Sequence, residues 1–411
     1  MKKVLIVGGV ILVLFIAACG FGGYSLLRSF QDSAKSLGPE FERSKRNGIP
    51  LTLDAMRPER AIAPGENAAL EYKKAFDIWQ EKRSMIDDAR WESYISSQEQ
   101  NDDTVGVESI IGEIAGPIEA GAKLAEAQWQ IDYSDRAFGS HPVFVGVVDG
   151  VFVWRRMIQG SESEQLAKGM RVSDHVVESH DPGSLRAASA IRMELLQGLA
   201  LKLPFIEPSQ YQVIRSSLDQ VEAIDPVPVW RTTAFLQFAT WDNYENLSQD
   251  QKTLFGGARR DDGVMLDAAS TEILKFWNTA IEAADGKPEL IQYTTLGEMV
   301  LRLRERTDLA AVPLKQLWTL DSATKGAGSL DWILANEQLM IMKQALDILT
   351  SSKGAFPEKF DCKRVSVIGM KAYTYERTKT GFKLSAKPSD VLAPQSALAK
   401  QSLVYEFKAV K

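Results

Sequence analysis

Cysteine and histidine are both scarce in this chain. Its 411 residues include 2 cysteines, Cys19 and Cys362, and 3 histidines. Because Cys19 lies in the apolar opening stretch, we expect no internal disulfide, and we expect Cys362 to be a buried, unreactive thiol. The sequence also lacks a Gly-x-Ser-x-Gly turn, a His-Glu-x-x-His helix, a phosphate loop and a Cys-x-x-Cys pair. We therefore predict no cofactor and single out no catalytic residue.

Charge is missing from residues 4–27, which are rich in Val, Ile, Leu and Phe and follow Lys2 and Lys3. A helix of this length measures roughly 36 Å, enough to cross a hydrocarbon core of about 30 Å. The two lysines favour a cytoplasmic N-terminus. We predict that residues 1–30 form a membrane anchor and that the rest of the chain lies outside the cytoplasm.

A second interpretation of this anchor is a bacterial lipoprotein signal. The sequence Ile16-Ala17-Ala18-Cys19 resembles a lipobox, in which case cleavage would leave a lipidated Cys19. The stretch stays apolar beyond Cys19, which favours an uncleaved transmembrane helix instead. A cleaved secretory signal is the third alternative. All three alternatives place the body on the same side of the membrane.

Basic residues are too few for a nucleic-acid surface. Removing Lys2, Lys3 and Arg28 from the 48 basic residues leaves 45 against 54 acidic ones, so the body has a net charge of −9. Binding to phosphates needs a basic face, so we predict no nucleic-acid partner. The same net negative charge argues against binding of the body to anionic lipids through a polybasic segment.

Prolines and apolar periodicity divide the remaining chain into three parts. Residues 31–65 contain four prolines and predict a spacer with one short helix over residues 39–46. Residues 66–352 carry apolar side chains at intervals of three and four, which predicts a helical body. Its predicted helices, in layered antiparallel pairs that form a bundle or a superhelix, cover residues 66–87, 114–129, 185–203, 209–224, 229–244, 264–284, 289–306 and 330–351.

Residues 353–411 follow a different pattern. Apolar and polar side chains alternate over residues 372–376, 381–385 and 403–407, and Thr380-Gly381 supplies a turn. We predict a small antiparallel β-sheet attached to the helical body. Residues 143–154 also show a hairpin pattern around Asp149-Gly150, but they continue into a helical context, which favours a helix there.

One cluster of metal-ligand side chains stands out in the sequence. Asp174, His175, Glu178 and His180 fall within a short segment, and His175 and Glu178 share a helix face. The spacing places His180 well round the helix from His175. The plainer interpretation is a helix C-terminus at which His180 meets exposed carbonyls, so we predict no metal site and keep His175, Glu178 and His180 as weak candidates.

The order of several segments resembles a loose group of bacterial exported helical proteins with a single anchor and no assigned activity. These segments are residues 66–79, 129–133, 185–204 and 345–357, followed by Tyr373, Tyr375, Phe382 and Leu384. The resemblance implies a helical fold and a location in the cell envelope, and it carries no functional residues. The tail from Gly354 also resembles, faintly, the C-terminal part of pseudopilins, which are far shorter.

Two functions from different classes fit these features. The first is a membrane-anchored extracytoplasmic module, interacting or structural, that meets a protein partner in the cell envelope. The alternative is an envelope hydrolase of glycan or peptidoglycan that uses two carboxylates, which this sequence does not identify.

Overall fold

Helices dominate the computed structural model, which describes residues 28, 31–56, 60–85, 87, 105–129, 162–242, 263–306, 314–315, 330–352, 356–390 and 403–408. Near the C-terminal end, three short strands form one antiparallel sheet. This arrangement confirms the predicted mainly α fold with a small C-terminal sheet.

Most of the helices fall close to the predicted segments, because each carries an apolar stripe that a neighbouring helix covers; the helix Glu162–Val177 has no counterpart among those segments. Neighbours in sequence pack against each other, notably α2 with α3, α4 with α5, and α7 with α8. The bounds are α1 Leu37–Arg46, α2 Ala68–Arg83, α3 Val105–Ala122, α4 Glu162–Val177, α5 Ser184–Lys202, α6 Tyr211–Asp219, α7 Val227–Asp242, α8 Gly263–Ala284, α9 Glu289–Glu305 and α10 Asp331–Ser352.

The sheet has the order β1 Thr374–Arg377, β2 Gly381–Ala386 and β3 Leu403–Lys408. All neighbouring strands are antiparallel, and Leu384 lies opposite Tyr405 of β3. Phe382 stacks on Phe407 with ring centroids 5.0 Å apart. One face of the sheet is therefore aromatic and apolar, as the alternating pattern predicted, and this face packs into the larger of two hydrophobic cores.

Two hydrophobic cores support the helices. The larger core includes residues of five consecutive helices, α2 through α6, together with residues of α10 and of the sheet. The smaller core joins α7, α8 and α9 and is built around Trp230 and Trp277, both fully buried. The indole of Trp277 donates a hydrogen bond to Gln237 at 2.7 Å. Trp79 belongs to the larger core and is also buried.

Residues 31–56, within the predicted spacer, contain the short helix that the sequence predicted and pack against the body. Helix α1 lies on α8, where Asn278 donates to the Ser44 hydroxyl at 3.0 Å. The Arg43 guanidinium donates to Glu282 at 2.7 Å and lowers the pKa of that carboxyl to about 2. After α1 the chain turns at Gly48, whose φ of +70° suits glycine. This part of the predicted spacer is thus fixed to the helical body.

The predicted helix that reaches Trp129 is wrong in its extent. Helix α3 runs through Pro117 and ends at Ala122. Beyond it, the backbone of Gln128 forms two hydrogen bonds with the side chain of Asn67. The carbonyl oxygen of Gln128 accepts from the amide group of Asn67 at 2.9 Å, and the N–H of Gln128 donates to the amide oxygen of Asn67 at 2.8 Å. Asn67 also caps α2. This pairing holds the chain in an extended conformation, which apolar spacing alone does not reveal.

The predicted helix over residues 209–224 is also too long, since α6 ends at Asp219. The backbone of Ile224 instead pairs with the side chain of Asn336 on α10, through contacts of 2.8 and 3.1 Å. Lys343 of α10 donates to the carbonyl of Val221 at 3.0 Å. These side chains satisfy backbone groups that a longer helix would have used, and they join the segment to α10.

Gly121 permits the close packing of α3 on α2. A Cβ atom there would lie 2.5 Å from Cε1 of Tyr72, whose ring stacks on Trp129 and whose hydroxyl contacts His175. We expect Gly121→Ala to lower the free energy of unfolding by about 2 kcal/mol through overpacking. Gly112→Ala in the same helix meets nothing within 4 Å and should stabilise by about 0.5 to 1 kcal/mol. Denaturant titration of both variants tests this; equal effects would refute it.

The predicted anchor lies outside the described residues except for Arg28, as do Cys19 and residues 143–154. Within the described part of the chain, every helix is either too short or too polar to cross a membrane.

Candidate functional site

The histidine that the sequence kept as a weak metal candidate is a core residue. His175 lies at the end of α4 and is 1% exposed. Its Nδ1 lies 2.8 Å from the hydroxyl of Tyr72, and its Nε2 lies 3.4 Å from the carbonyl oxygen of Ala125. A neutral ring that accepts from Tyr72 and donates to Ala125 satisfies both nitrogens. Burial lowers the pKa of His175 from 6.5 to about 4.

The other two candidates lie elsewhere on the surface of this segment. Glu178 and His180 are solvent-exposed, whereas His175 faces the core. Helix α4 ends at Val177, and His180 adopts a φ of +54° beyond that end. Among the described residues, no three His, Cys, Asp or Glu side chains are grouped so that they could hold a metal ion. The segment is a helix terminus with a buried imidazole.

Cys362 is buried, as predicted, and burial raises the pKa of its thiol to about 11. A thiol with so high a pKa carries little thiolate at neutral pH, so it is a poor nucleophile. Cys362 belongs to the core that joins the sheet to the helices.

A groove where α5, α10 and β3 meet is the candidate functional site. Its volume is about 250 Å³, and it opens to solvent. Its wall consists mainly of carbon, with polar groups from two glutamines and one tyrosine. The lining residues are Leu196, Gln197, Ala200, Leu201, Gln338, Ile341, Met342 and Tyr405.

Sequence spacing explains how the three elements form this groove. Leu196 and Ala200 are four residues apart and therefore share one face of α5. Ala200 is short, which leaves space where a larger side chain would fill the gap between α5 and α10. Ile341 and Met342 of α10 and Tyr405 of β3 complete the lining. Burial raises the pKa of Tyr405 to about 12, so its hydroxyl stays protonated at neutral pH.

Large apolar side chains surround the opening. Leu201 is 57% exposed and Phe205 is 84% exposed. Phe205 belongs to the 3-10 turn Leu203–Phe205, which directly follows α5 and contacts β3. We call Leu201 and Phe205 the apolar rim.

Apolar side chains of this size are costly to leave in water. Each would contribute about 1.5 to 3 kcal/mol if it were fully removed from water. Single exposed apolar residues are ordinary, but a cluster beside an apolar concavity is typical of a binding surface. The rim and the groove together can therefore bind an apolar group by exclusion of water.

A buried carboxylate supports the strand side of this site. Glu337 of α10 is fully buried and accepts hydrogen bonds from the hydroxyl of Tyr373 at 2.9 Å, the hydroxyl of Ser366 at 3.0 Å and the backbone N–H of Ile368 at 3.0 Å. Burial raises the pKa of Glu337, although these donors oppose the shift. The carboxylate thus holds the segment before β1 against α10. Glu337 directly precedes Gln338, which lines the groove.

Glu337 is not placed to act as one of the two carboxylates that a glycan hydrolase presents to its substrate. Its oxygens are occupied by groups of the protein, and its side chain is enclosed in the core between α10 and the sheet. The structure places Glu337 in a structural role, joining the sheet to the helices.

The groove escaped the sequence analysis because its walls are far apart in the chain. Residues 196–201, 338–342 and 405 come together only after folding. The available signal was weak: Leu201 and Phe205 flank the end of a predicted helix at Pro204 and are more apolar than an ordinary helix terminus. Comparison with known proteins adds nothing to this geometry, since no family model, curated protein or solved structure matches the chain.

Proposed function

We propose that this chain is a membrane-anchored protein of the cell envelope whose helical body, outside the cytoplasm, binds a protein partner through the groove between α5, α10 and β3. The uncharged residues 4–27 support the anchor. The observation that carries the binding role is the apolar rim, with Phe205 84% exposed beside a groove of about 250 Å³.

Binding at this site is driven by burial of the rim. A partner that covers Leu201 and Phe205 removes two large apolar side chains from water, and the remaining interface excludes solvent around them. The two glutamines that line the groove, Gln197 and Gln338, supply hydrogen-bonding groups. Such an arrangement suits an apolar side chain of a partner, with polar contacts that set its orientation.

Photochemical cross-linking in membranes tests this proposal. A benzophenone-bearing amino acid replaces Leu201 of the full chain, and the same replacement of Leu301 is the matched control. Leu301 is 55% exposed, almost the same as Leu201, but it lies on α9 away from the groove lining. We expect a discrete protein adduct from position 201 and little or none from position 301. Phe205→Asp should weaken the adduct from position 201 at least fivefold.

Two results would contradict the proposal. The first is the absence of any protein adduct from position 201. The second is a set of adducts that is the same for positions 201 and 301, since this would show only random collisions of exposed side chains.

A further inference from the structure

The candidate site combines a projecting side chain, Phe205, with a groove of the size that such a side chain would fit. Phe205 projects from the turn Leu203–Phe205, while the groove begins one helical turn earlier on α5, at Leu201. The turn and the groove are held side by side, because the turn contacts β3 and Tyr405 of β3 lines the groove. A projection and a recess thus lie next to each other on one face.

The groove is large enough for a phenyl ring. A cavity of about 150 Å³ lined by aliphatic side chains is enough to bind benzene, and the groove measures about 250 Å³. Its lining includes Leu196, Ile341 and Met342, which offer the aliphatic and thioether contacts that aromatic rings favour. Phe205 therefore matches the groove in size and in chemistry.

The electrostatics of this face also suit a second copy of the chain. The body beyond residue 30 has a net charge of −9, so two bodies repel each other at most orientations. The groove lining and the apolar rim contain no charged side chain. The lining and the rim therefore place no charged side chain in the contact between two copies.

We propose that the partner of the groove is a second copy of this chain, in a two-fold symmetric dimer in which Phe205 of each copy enters the groove of the other. A two-fold axis near Leu201 places Phe205 of each copy at the groove of the other. The same contact therefore occurs twice, and the assembly ends at a dimer. The two α5 helices then run antiparallel across the axis. This inference rests on the proposed function, since it identifies the partner of the same site.

Disulfide trapping of the full chain in membranes tests the dimer. Two differently tagged copies are produced together, one with Phe205→Cys and the other with Gln197→Cys; Gln197 is an exposed residue of the groove lining. We expect a disulfide-linked product that contains both tags. The matched control pairs Phe205→Cys with Leu301→Cys, and the tagged parent chains report any disulfide made by the native cysteines. The product should exceed both controls at least tenfold.

The outcomes separate this inference from the proposed function. Yields equal to the controls, or no linked product, would overturn the dimer. If an adduct from position 201 nevertheless contains a different protein, the proposed function stands and the self-association is refuted. If position 201 gives no adduct and no linked product forms, both fail. A linked product that persists when both copies also carry Leu201→Asp would overturn the dimer as well, because that charge would lie at the axis.

Discussion

Glu337→Ala is expected to lower the free energy of unfolding by about 4 kcal/mol. Three buried donors, the hydroxyls of Ser366 and Tyr373 and the N–H of Ile368, lose their acceptor in this variant. Each buried polar group left without a partner costs about 1 to 3 kcal/mol. Denaturant unfolding of the full chain in detergent, followed by far-ultraviolet circular dichroism, measures the change.

The loss should be concentrated in the sheet, because Glu337 joins α10 to the segment that precedes β1. Amide hydrogen exchange of β2 is expected to accelerate more than that of α8. Glu358→Ala is the control: its side chain is 84% exposed and pairs with Arg377 at the surface, so its loss should cost less than about 1 kcal/mol. Equal effects of the two substitutions would show that Glu337 does not hold the sheet.

The second large effect is a dependence of stability on pH that His175 produces. The unfolded chain takes up a proton at the ordinary pKa of 6.5, whereas the folded chain resists protonation until about pH 4. The free energy of unfolding therefore falls as the pH falls through this window. A difference of about 2.5 in pKa corresponds to about 3 kcal/mol.

His175→Gln isolates this contribution. The variant keeps a side chain that can accept from Tyr72 but does not titrate, so the gap in stability between the parent chain and the variant should shrink by about 3 kcal/mol from pH 7 to pH 4. Glu337 acts in the opposite direction: burial raises its pKa, so its protonation favours the folded state as the pH falls. Both proteins share that contribution, and it cancels in the comparison. A gap that does not change with pH would contradict the burial of a neutral His175.

The helices and strands were largely predictable, because their signals are local. The apolar spacing over residues 264–284 matches α8 (Gly263–Ala284) within one residue, and the alternation in residues 403–407 matches β3. The errors fall where side chains far away in sequence bind the backbone. Asn67 holds the chain after α3, and Asn336 holds the chain after α6. Neither bond leaves a trace in local periodicity.

The site was far less predictable than the fold. A single glutamate within a long apolar helix gives no indication of whether it points to solvent or into the core, and Glu337 points into the core. His175 looked like a metal candidate because two carboxylates and a second histidine lie nearby in sequence, but its face of α4 packs against Tyr72. The groove depends on how Ala200 of α5, Met342 of α10 and Tyr405 of β3 come together, which is a property of tertiary packing.

The most direct test compares the chemical accessibility of positions 201 and 301 in intact cells. Leu201→Cys and Leu301→Cys in the full chain are treated with a small maleimide that does not cross the inner membrane. We expect rapid labelling at position 301, because the body lies outside the cytoplasm, and slow labelling at position 201, because a partner covers the rim. Phe205→Asp should restore labelling at position 201. Protection of both positions would contradict the location of the body outside the cytoplasm, and equally fast labelling of both would contradict coverage of the rim by a partner.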